Sequence, residues 1–410
     1  MATGQTANGA VAKNMRLIGH TDLGGYGNGG EGLALQTTKD GRRVLYIAHE
    51  SAPKNFSVVD VSDPRTPSLL TQIDLPHRDM RSNSLDAVGD VLAVAYQTAR
   101  RGASPAGLEL FDISDPSTPK SISFLDRSGP HSRGVHCLWF VDGEYVHMSS
   151  GAPDFTPTVP QDDQFYQIID VRHPSRPEEV GRWWLPGTRE GDDAPPPTRH
   201  TAFDTGFRPH NTNVYPERPD RAYVGYIDGG VIILDVSDLS QPQMISRLDY
   251  HPPLPGFTHT VLPLFERELL VVTDEATRPG GEDWPKMTWI INASEETNPV
   301  IVGSLPLPSV EIFAQYGGRF GSHNIHENQP LPTAFHSETL VFGAYFNAGV
   351  RVHDTTDPYH PEEIGYYVPE APAGSHAGAT QMNDVYVDEN RLIYAIDRVA
   401  GGLYILELTG

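Results

Sequence analysis

The chain has 410 residues, with 30 Lys and Arg against 53 Asp and Glu, a formal charge of −23. Such an acidic balance argues against nucleic acid or an anionic membrane surface as a partner, because both need clustered basic side chains. No apolar run reaches the roughly 18 residues that span a bilayer. Cys137 is the only cysteine, which excludes an intramolecular disulfide and a cysteine-based metal cluster.

Residues 1–14 are small and polar and lack an apolar core segment, so no signal peptide is expected. They read as a disordered tail of a cytoplasmic protein. Met15 to Leu23 is strand-like. Gly24-Gly-Tyr-Gly-Asn-Gly-Gly30 then reads as a flexible connector rather than a phosphate loop, since no helix follows.

From there one pattern recurs: an apolar run, an Asp or Asn, and a Pro seven positions on. It appears as SVVDVSDPRTP (Asp60, Pro67), LELFDISDPSTP (Asp112, Pro119), YQIIDVRHPSRP (Asp170, Pro177) and VIILDVSDLSQP (Asp235, Pro242). TWIINASEETNP (Asn292, Pro299) and VRVHDTTDPYHP (Asp354, Pro361) follow, and LYILELTG ends the series with Glu407 in the Asp position. Each run is β-branched and closes on a turn cluster, as a strand does. With a strand before it, one after it and an inner strand ahead, each unit holds four antiparallel strands. Copies spaced by 52 to 65 residues make a single all-β domain over residues 15–410, a seven-bladed β-propeller. Two β-sandwiches would not generate seven such copies. Arg16-Leu-Ile-Gly19 parallels Glu363-Ile-Gly-Tyr366, so the N-terminal strand is expected to complete the seventh blade and close the ring.

SVVDVSDPRTP and VIILDVSDLSQP resemble the LVIVD family, named for its apolar run around an Asp. The resemblance extends over roughly residues 15–410 and implies the propeller fold. It implies no one reaction, so function is argued from individual residues.

Aligned on the hairpin turns that end them, four inner strands carry a histidine at one early position. These are His136, His210, His259 and His323, in blades three to six. Blade two has Asn83 there, blade seven Gln381 or Met382, and blade one only Gly32-Leu33. Rotationally equivalent positions point alike, so the four imidazoles are expected to converge on the axis around one divalent transition ion. Fe(II) is favoured, with Mn or Zn as alternatives. In ligand pattern alone, the set is similar to that of carotenoid cleavage oxygenases, propellers that hold Fe(II) with four histidines. It also resembles that of oligogalacturonate lyases, which use three histidines and a glutamine. The second resemblance would make Gln381 a ligand.

The ends of the second strands supply further candidates: His49 and Glu50, Gln97, Asp228, Asp274 and Glu275, Asn347, and Asp397 with Arg398. Asp228, Asp274 and Glu275 are candidate bases or imidazole-orienting carboxylates, and Arg398 could hold a substrate carboxylate. The alternative is that they serve turns, as Asp228-Gly-Gly suggests. His326, three residues beyond His323, falls on the opposite strand face and reads as structural. Long loops at 185–209, 306–321, 151–163 and 276–286 are candidate lids, with Phe155, Trp284, Phe313 and Tyr316, or else a homo-oligomer interface. The expected function is a metal-dependent enzyme acting on a small organic substrate, leaning to oxygenation or oxidative cleavage. A redox-neutral lyase or hydrolase and a non-catalytic scaffold for a protein partner are the alternatives.

Overall fold

The six copies with Asp or Asn at the repeated position end their third strand in the same way. The side chain of Asp60 accepts the amide of Ser62 at 2.9 Å, Asp112 that of Ser114 at 2.9 Å and Asp235 that of Ser237 at 2.9 Å. Asn292 does the same for Ser294 and Asp354 for Thr356. The repeated acid is therefore an Asx turn that stops the strand and starts the return.

The computed structural model describes residues 4–5 and 9–410. The turns recur around seven four-stranded antiparallel blades, so the expected β-propeller is the fold observed. Blade one, for example, runs from its inner strand Gly29–Thr37 through Arg43–His49 and Lys54–Asp60 to Ser68–Asp74. Apolar side chains fill the spaces between neighbouring blades. Tyr46, Phe56 and Val58 of blade one pack on Leu85, Leu92 and Val94 of blade two. Leu45 and Ile47 pack on Tyr394 and Ile396 of blade seven.

In every blade the third and fourth strands shift register, as at Val58/Val59, Ile168/Ile169 and Ile290/Ile291. Such a bulge adds the local twist a blade needs. A fourth-strand glycine lies close to this shift in several blades, where the turn of the next blade docks. A Cβ on Gly19 would sit 2.0 Å from the Pro64 carbonyl oxygen, and one on Gly181 1.7 Å from that of Leu239. Gly181→Ala is expected to cost about 2–3 kcal/mol, because backbone rather than a flexible side chain must yield. A shift of the urea midpoint at unchanged m-value checks this.

Met15–Thr21 pairs with Gly402–Leu408, from Met15 opposite Leu408 to Thr21 opposite Leu403, and closes the ring as expected. The tail reading is corrected in one respect. Val11–Lys13 forms a strand on Glu362–Val368, the outer strand of blade six. That strand otherwise presents open N–H and C=O groups, and a paired segment covers them. The rest of the expected tail at residues 1–3 and 6–8 lies outside the described residues. Blade six also has an irregular inner edge. Its segment 323–326 is held by an isolated bridge, Ile325 to Gly343, and by the His323 amide donating to the Ala344 carbonyl at 3.1 Å.

Candidate metal centre

The inner strands bring the four predicted histidines together. His136 lies in Val135–Trp139 and His259 in Thr258–Leu264, while His210 immediately precedes Thr212–Tyr215. Their rings form a continuous row. Centroid separations are 4.3 Å from His136 to His210, 3.6 Å on to His259 and 4.6 Å on to His323. His136 Nε2 and His210 Nε2 are 2.7 Å apart.

A fifth group, missed in the sequence, completes the cluster. Glu31 Oε2 lies 3.5 Å from His210 Nε2 and 3.7 Å from His259 Nε2, and its Oε1 lies 3.7 Å from His323 Nε2. The flanking glycines place it there. A Cβ on Gly30 would be 2.8 Å from the Asn83 carbonyl oxygen, and one on Gly32 2.4 Å from the Leu85 amide nitrogen. Only a glycine-lined strand presses this closely against blade two. The signal was present in Gly29-Gly-Glu-Gly32 as an acid between glycines at the blade-one counterpart of the histidine position.

Hydrogen bonds to acceptor oxygens fix which nitrogen carries the proton in three of the four rings. His323 Nδ1 meets the Asn383 carbonyl oxygen at 2.6 Å, so Nδ1 carries the proton. His136 Nδ1 meets Gln97 Oε1 at 3.0 Å, and that oxygen is identified because it also accepts from Arg81 at 2.7 Å. His210 Nδ1 meets Asn211 Oδ1 at 2.8 Å. The orientation of Asn211 is set in turn by its Nδ2, which donates to Glu327 at 2.7 Å. His259 Nδ1 lies 2.7 Å from the Thr260 hydroxyl. A neutral imidazole protonated at Nδ1 presents a lone pair at Nε2. The centre thus gathers inward-facing ring nitrogens around one carboxylate. Among the described residues, His259 Nε2, His323 Nε2 and Glu31 Oε2 are buried without a hydrogen-bond partner.

Electrostatics point the same way. Burial, reinforced by neighbouring rings, holds His136 well below the ordinary imidazole value and lowers His210 and His323 to about 3. Burial would raise Glu31, but the surrounding histidines outweigh it and hold the carboxyl well below the usual range. Buried groups kept as free bases and an ionised acid are what a cation needs and what empty space leaves uncompensated. Ligand atoms of Glu31 with His259 and His323, of Glu31 with His136 and His210, and of His210, His259 and Glu275 fall within 4.8 Å of one another.

The other predicted residues divide. Glu275 belongs to the site: its Oε1 is 3.6 Å from His323 Nε2 and 2.5 Å from Arg319 Nη1. Burial would raise it, yet His323 and Arg319 lower it to about 2. Gln97 orients His136 as expected of that strand end. Arg398 donates to Glu50 and, at 3.2 Å, to Asn383 Oδ1.

Asp228 and Asp274, expected as catalytic groups, make their hydrogen bonds to the surrounding fold. Asp228 accepts the amides of Thr205 and Gly206, both at 2.7 Å, and so anchors the loop leading to His210. Asp274 accepts from the Tyr250 hydroxyl at 2.7 Å and from Trp289 Nε1 at 2.9 Å. Gln381, read as a ligand, has its amide on the backbone: Oε1 accepts from the Arg319 amide at 2.8 Å and Nε2 donates to Thr380. Asp397 holds a turn through the amides of Val399 and Ala400. Asn347 secures the 306–321 loop at the Phe313 and Gly317 carbonyls. His49 bonds the Asn28 carbonyl and Ser57, and His326 the Phe335 carbonyl. Of the lid aromatics, Phe155 is buried against Phe165, and Trp284 stacks on Phe320 at 4.9 Å. Those loops carry small cores of their own. Tyr316 is exposed.

A polar chamber of about 30 Å³, room for a water molecule, adjoins Glu31 and is lined by Ser84, Asp86, Cys137, Glu327 and Asp384. Asp86 accepts from the Phe140 amide at 2.9 Å and from Gln329 at 2.8 Å. Burial, with the charge of Glu327 adding to it, pushes Asp86 up to about 8. Its folded value lies above the unfolded value near 3.9, so its stabilising contribution is complete below about pH 4 and lost on rising to about pH 8. Asp86→Asn removes this dependence. Stability of the variant relative to wild type is expected to rise with pH across that window, as measured by urea unfolding.

The ring is similar to the Cps50 (Swd1) β-propeller domain of Myceliophteria thermophila, with a TM-score of 0.54 at 12% identity, over 93% of this chain and 98% of that one. The likeness is one of fold. No curated protein sequence matches the chain. Among the described residues, no helix is long and apolar enough to cross a membrane. The LVIVD repeat model matches at residues 45–74 and 220–249, which are the second to fourth strands of blades one and four. The chain thus carries LVIVD repeats at two places in a ring of seven blades, consistent with an LVIVD-repeat propeller.

Proposed function

We propose that His136, His210, His259, His323 and Glu31 hold one divalent transition ion, and that the protein is an enzyme acting on a small organic substrate there. The observation that carries this reading is the convergence of ring nitrogens on one buried carboxylate: the Nδ1 contacts of His136, His210 and His323 turn their Nε2 atoms inward, and His259 Nε2, His323 Nε2 and Glu31 Oε2 lack a hydrogen-bond partner. Imidazoles with a carboxylate and no thiolate suit Fe(II), Mn(II) or Zn(II), and Fe(II) is the favoured occupant. Such an ion supplies Lewis acidity and, as Fe(II), dioxygen chemistry, so oxygenation or oxidative cleavage is the favoured reaction class. Glu275, held ionised, is placed to accept a hydrogen bond from a substrate hydroxyl or a water beside His323.

Metal analysis after anaerobic reconstitution with Fe(II), Mn(II) and Zn(II) in turn tests the reading. Close to one equivalent is expected, and less than about 0.2 equivalent of every metal would end it. Glu31→Gln, which removes the one carboxylate among the five ligands, is expected to weaken binding by at least about tenfold. Oxygen uptake by the iron form but not the zinc form separates oxygenation from lyase or hydrolase chemistry.

A further inference from the structure

We infer that Arg81, Arg319 and Arg398 form a receptor for a small organic oxyanion, a carboxylate in the first instance, and that the substrate of the centre is therefore an acid. The inference rests on the metal reading for the chemistry that follows binding, while the receptor itself is argued from the arginines.

The three guanidinium groups are tied directly to the histidine cluster. Arg81 Nη2 lies 3.4 Å from His136 Nδ1. Arg319 pairs with Glu275, which lies 3.6 Å from His323 Nε2. Arg319 and Arg398 approach the ring of Phe346 at 5.4 Å and 6.0 Å, and that ring stacks on His323 at 4.6 Å. The arginines also face the solvent that the imidazoles do not. Side-chain exposure is 28% for Arg319, 24% for Arg81 and 13% for Arg398, against 1% or less for His210, His259 and His323. A ligand approaching the cluster from solvent on this side meets the guanidinium groups first.

Their charges are only partly matched. Glu50 Oε1 accepts from both Arg81 and Arg398, and Glu275 takes one donor of Arg319, so three cations share two carboxylates. A guanidinium has five N–H donors, and Arg319 gives one to Glu275, leaving a fork suited to a planar oxyanion. In a chain of net charge −23, three partly exposed arginines beside one buried cluster concentrate positive potential that would draw in an anion. Arginine rather than lysine at all three positions favours bidentate recognition over a point charge.

Calorimetry with succinate, its neutral diamide and inorganic phosphate, on Co(II)-loaded and metal-free protein, tests the inference. Succinate is expected to bind and to shift the visible bands of Co(II), whereas the diamide does neither. Phosphate binding more tightly than succinate would assign the receptor to phosphorylated rather than carboxylic acids, still as an oxyanion site. Arg319→Gln is expected to weaken succinate by about tenfold or more with Co(II) stoichiometry unchanged, Arg81→Gln to weaken succinate at least as much, and Arg319→Lys to recover part of the loss. Thermal unfolding confirms that each variant is folded, and either variant alone suffices for the comparison. Equal binding of succinate and diamide, or variants that bind succinate like wild type, would overturn the receptor. Succinate binding without Co(II) uptake would remove the metal reading and keep the receptor, and Co(II) uptake without succinate binding would do the reverse.

Discussion

His210→Ala is expected to leave the protein folded but without metal, with occupancy falling from about one equivalent to below about 0.2. His210 is the central member of the cluster. Its Nε2 lies 2.7 Å from that of His136 and 3.5 Å from Glu31, and its ring is 3.6 Å from that of His259. Losing it removes the ring that bridges His136 and His259 and leaves His136 with only Glu31 of the ligand set beside it. Because an ion bound only by the folded ring stabilises it by about 4 kcal/mol at a thousandfold excess over Kd, wild type should unfold several degrees earlier after chelation. The variant should show no such response to chelator. His147→Ala supplies the contrast. His147 is equally buried but bonds the Tyr166 hydroxyl at 2.6 Å, away from the axis, so its loss is expected to cost stability and leave occupancy unchanged. If His210→Ala retained full occupancy, the proposed ligand set would be wrong.

Removing residues 1–21 is expected to have the largest effect on the fold. The deletion takes away Met15–Thr21, which pairs with Gly402–Leu408, and with it Met15, Leu17 and Ile18 from the apolar layers flanking blade seven. Burial of three such side chains contributes on the order of 5 kcal/mol, and the exposed strand edge invites association with other chains. The truncated protein should therefore be aggregated or unfolded near room temperature, as judged by sedimentation and near-ultraviolet circular dichroism. A synthetic peptide of residues 9–23 should restore part of the soluble fraction. A monomeric truncated protein with an unchanged melting temperature would show that the closing strand contributes little.

The fold was legible because a ring forces each copy to solve the same problem. Asp60, Asp112 and Asp235 make one turn in three blades, and the alternation of strands follows from it. The four histidines were legible for the same reason, as one position repeated by rotation. Glu31 was not, because blade one departs from its siblings in residue type and its glycines resembled a connector. Asp274 and Glu275 show a second limit. Both stand at the end of one strand and read alike in sequence, but adjacent residues point to opposite faces. Asp274 turns to Tyr250 and Trp289, and Glu275 turns to His323 and Arg319. Register, which no motif announces, separates the acid that faces the cluster from the one that does not. The arginines escaped notice in part because Arg319 comes from a long loop and Arg81 from an inner strand, positions related by no repeat.

The proposed ligands come from blades one, three, four, five and six, and the first and last of them, Glu31 and His323, are separated by nearly three-quarters of the chain. During synthesis the acid would leave the ribosome long before its last partner. No partial product of translation would hold the full set, and the closing strand must also wait for Gly402–Leu408. Loading of the proposed ion is thereby deferred until the polypeptide is essentially finished, which keeps a half-made chain from trapping whatever metal the cell has in excess.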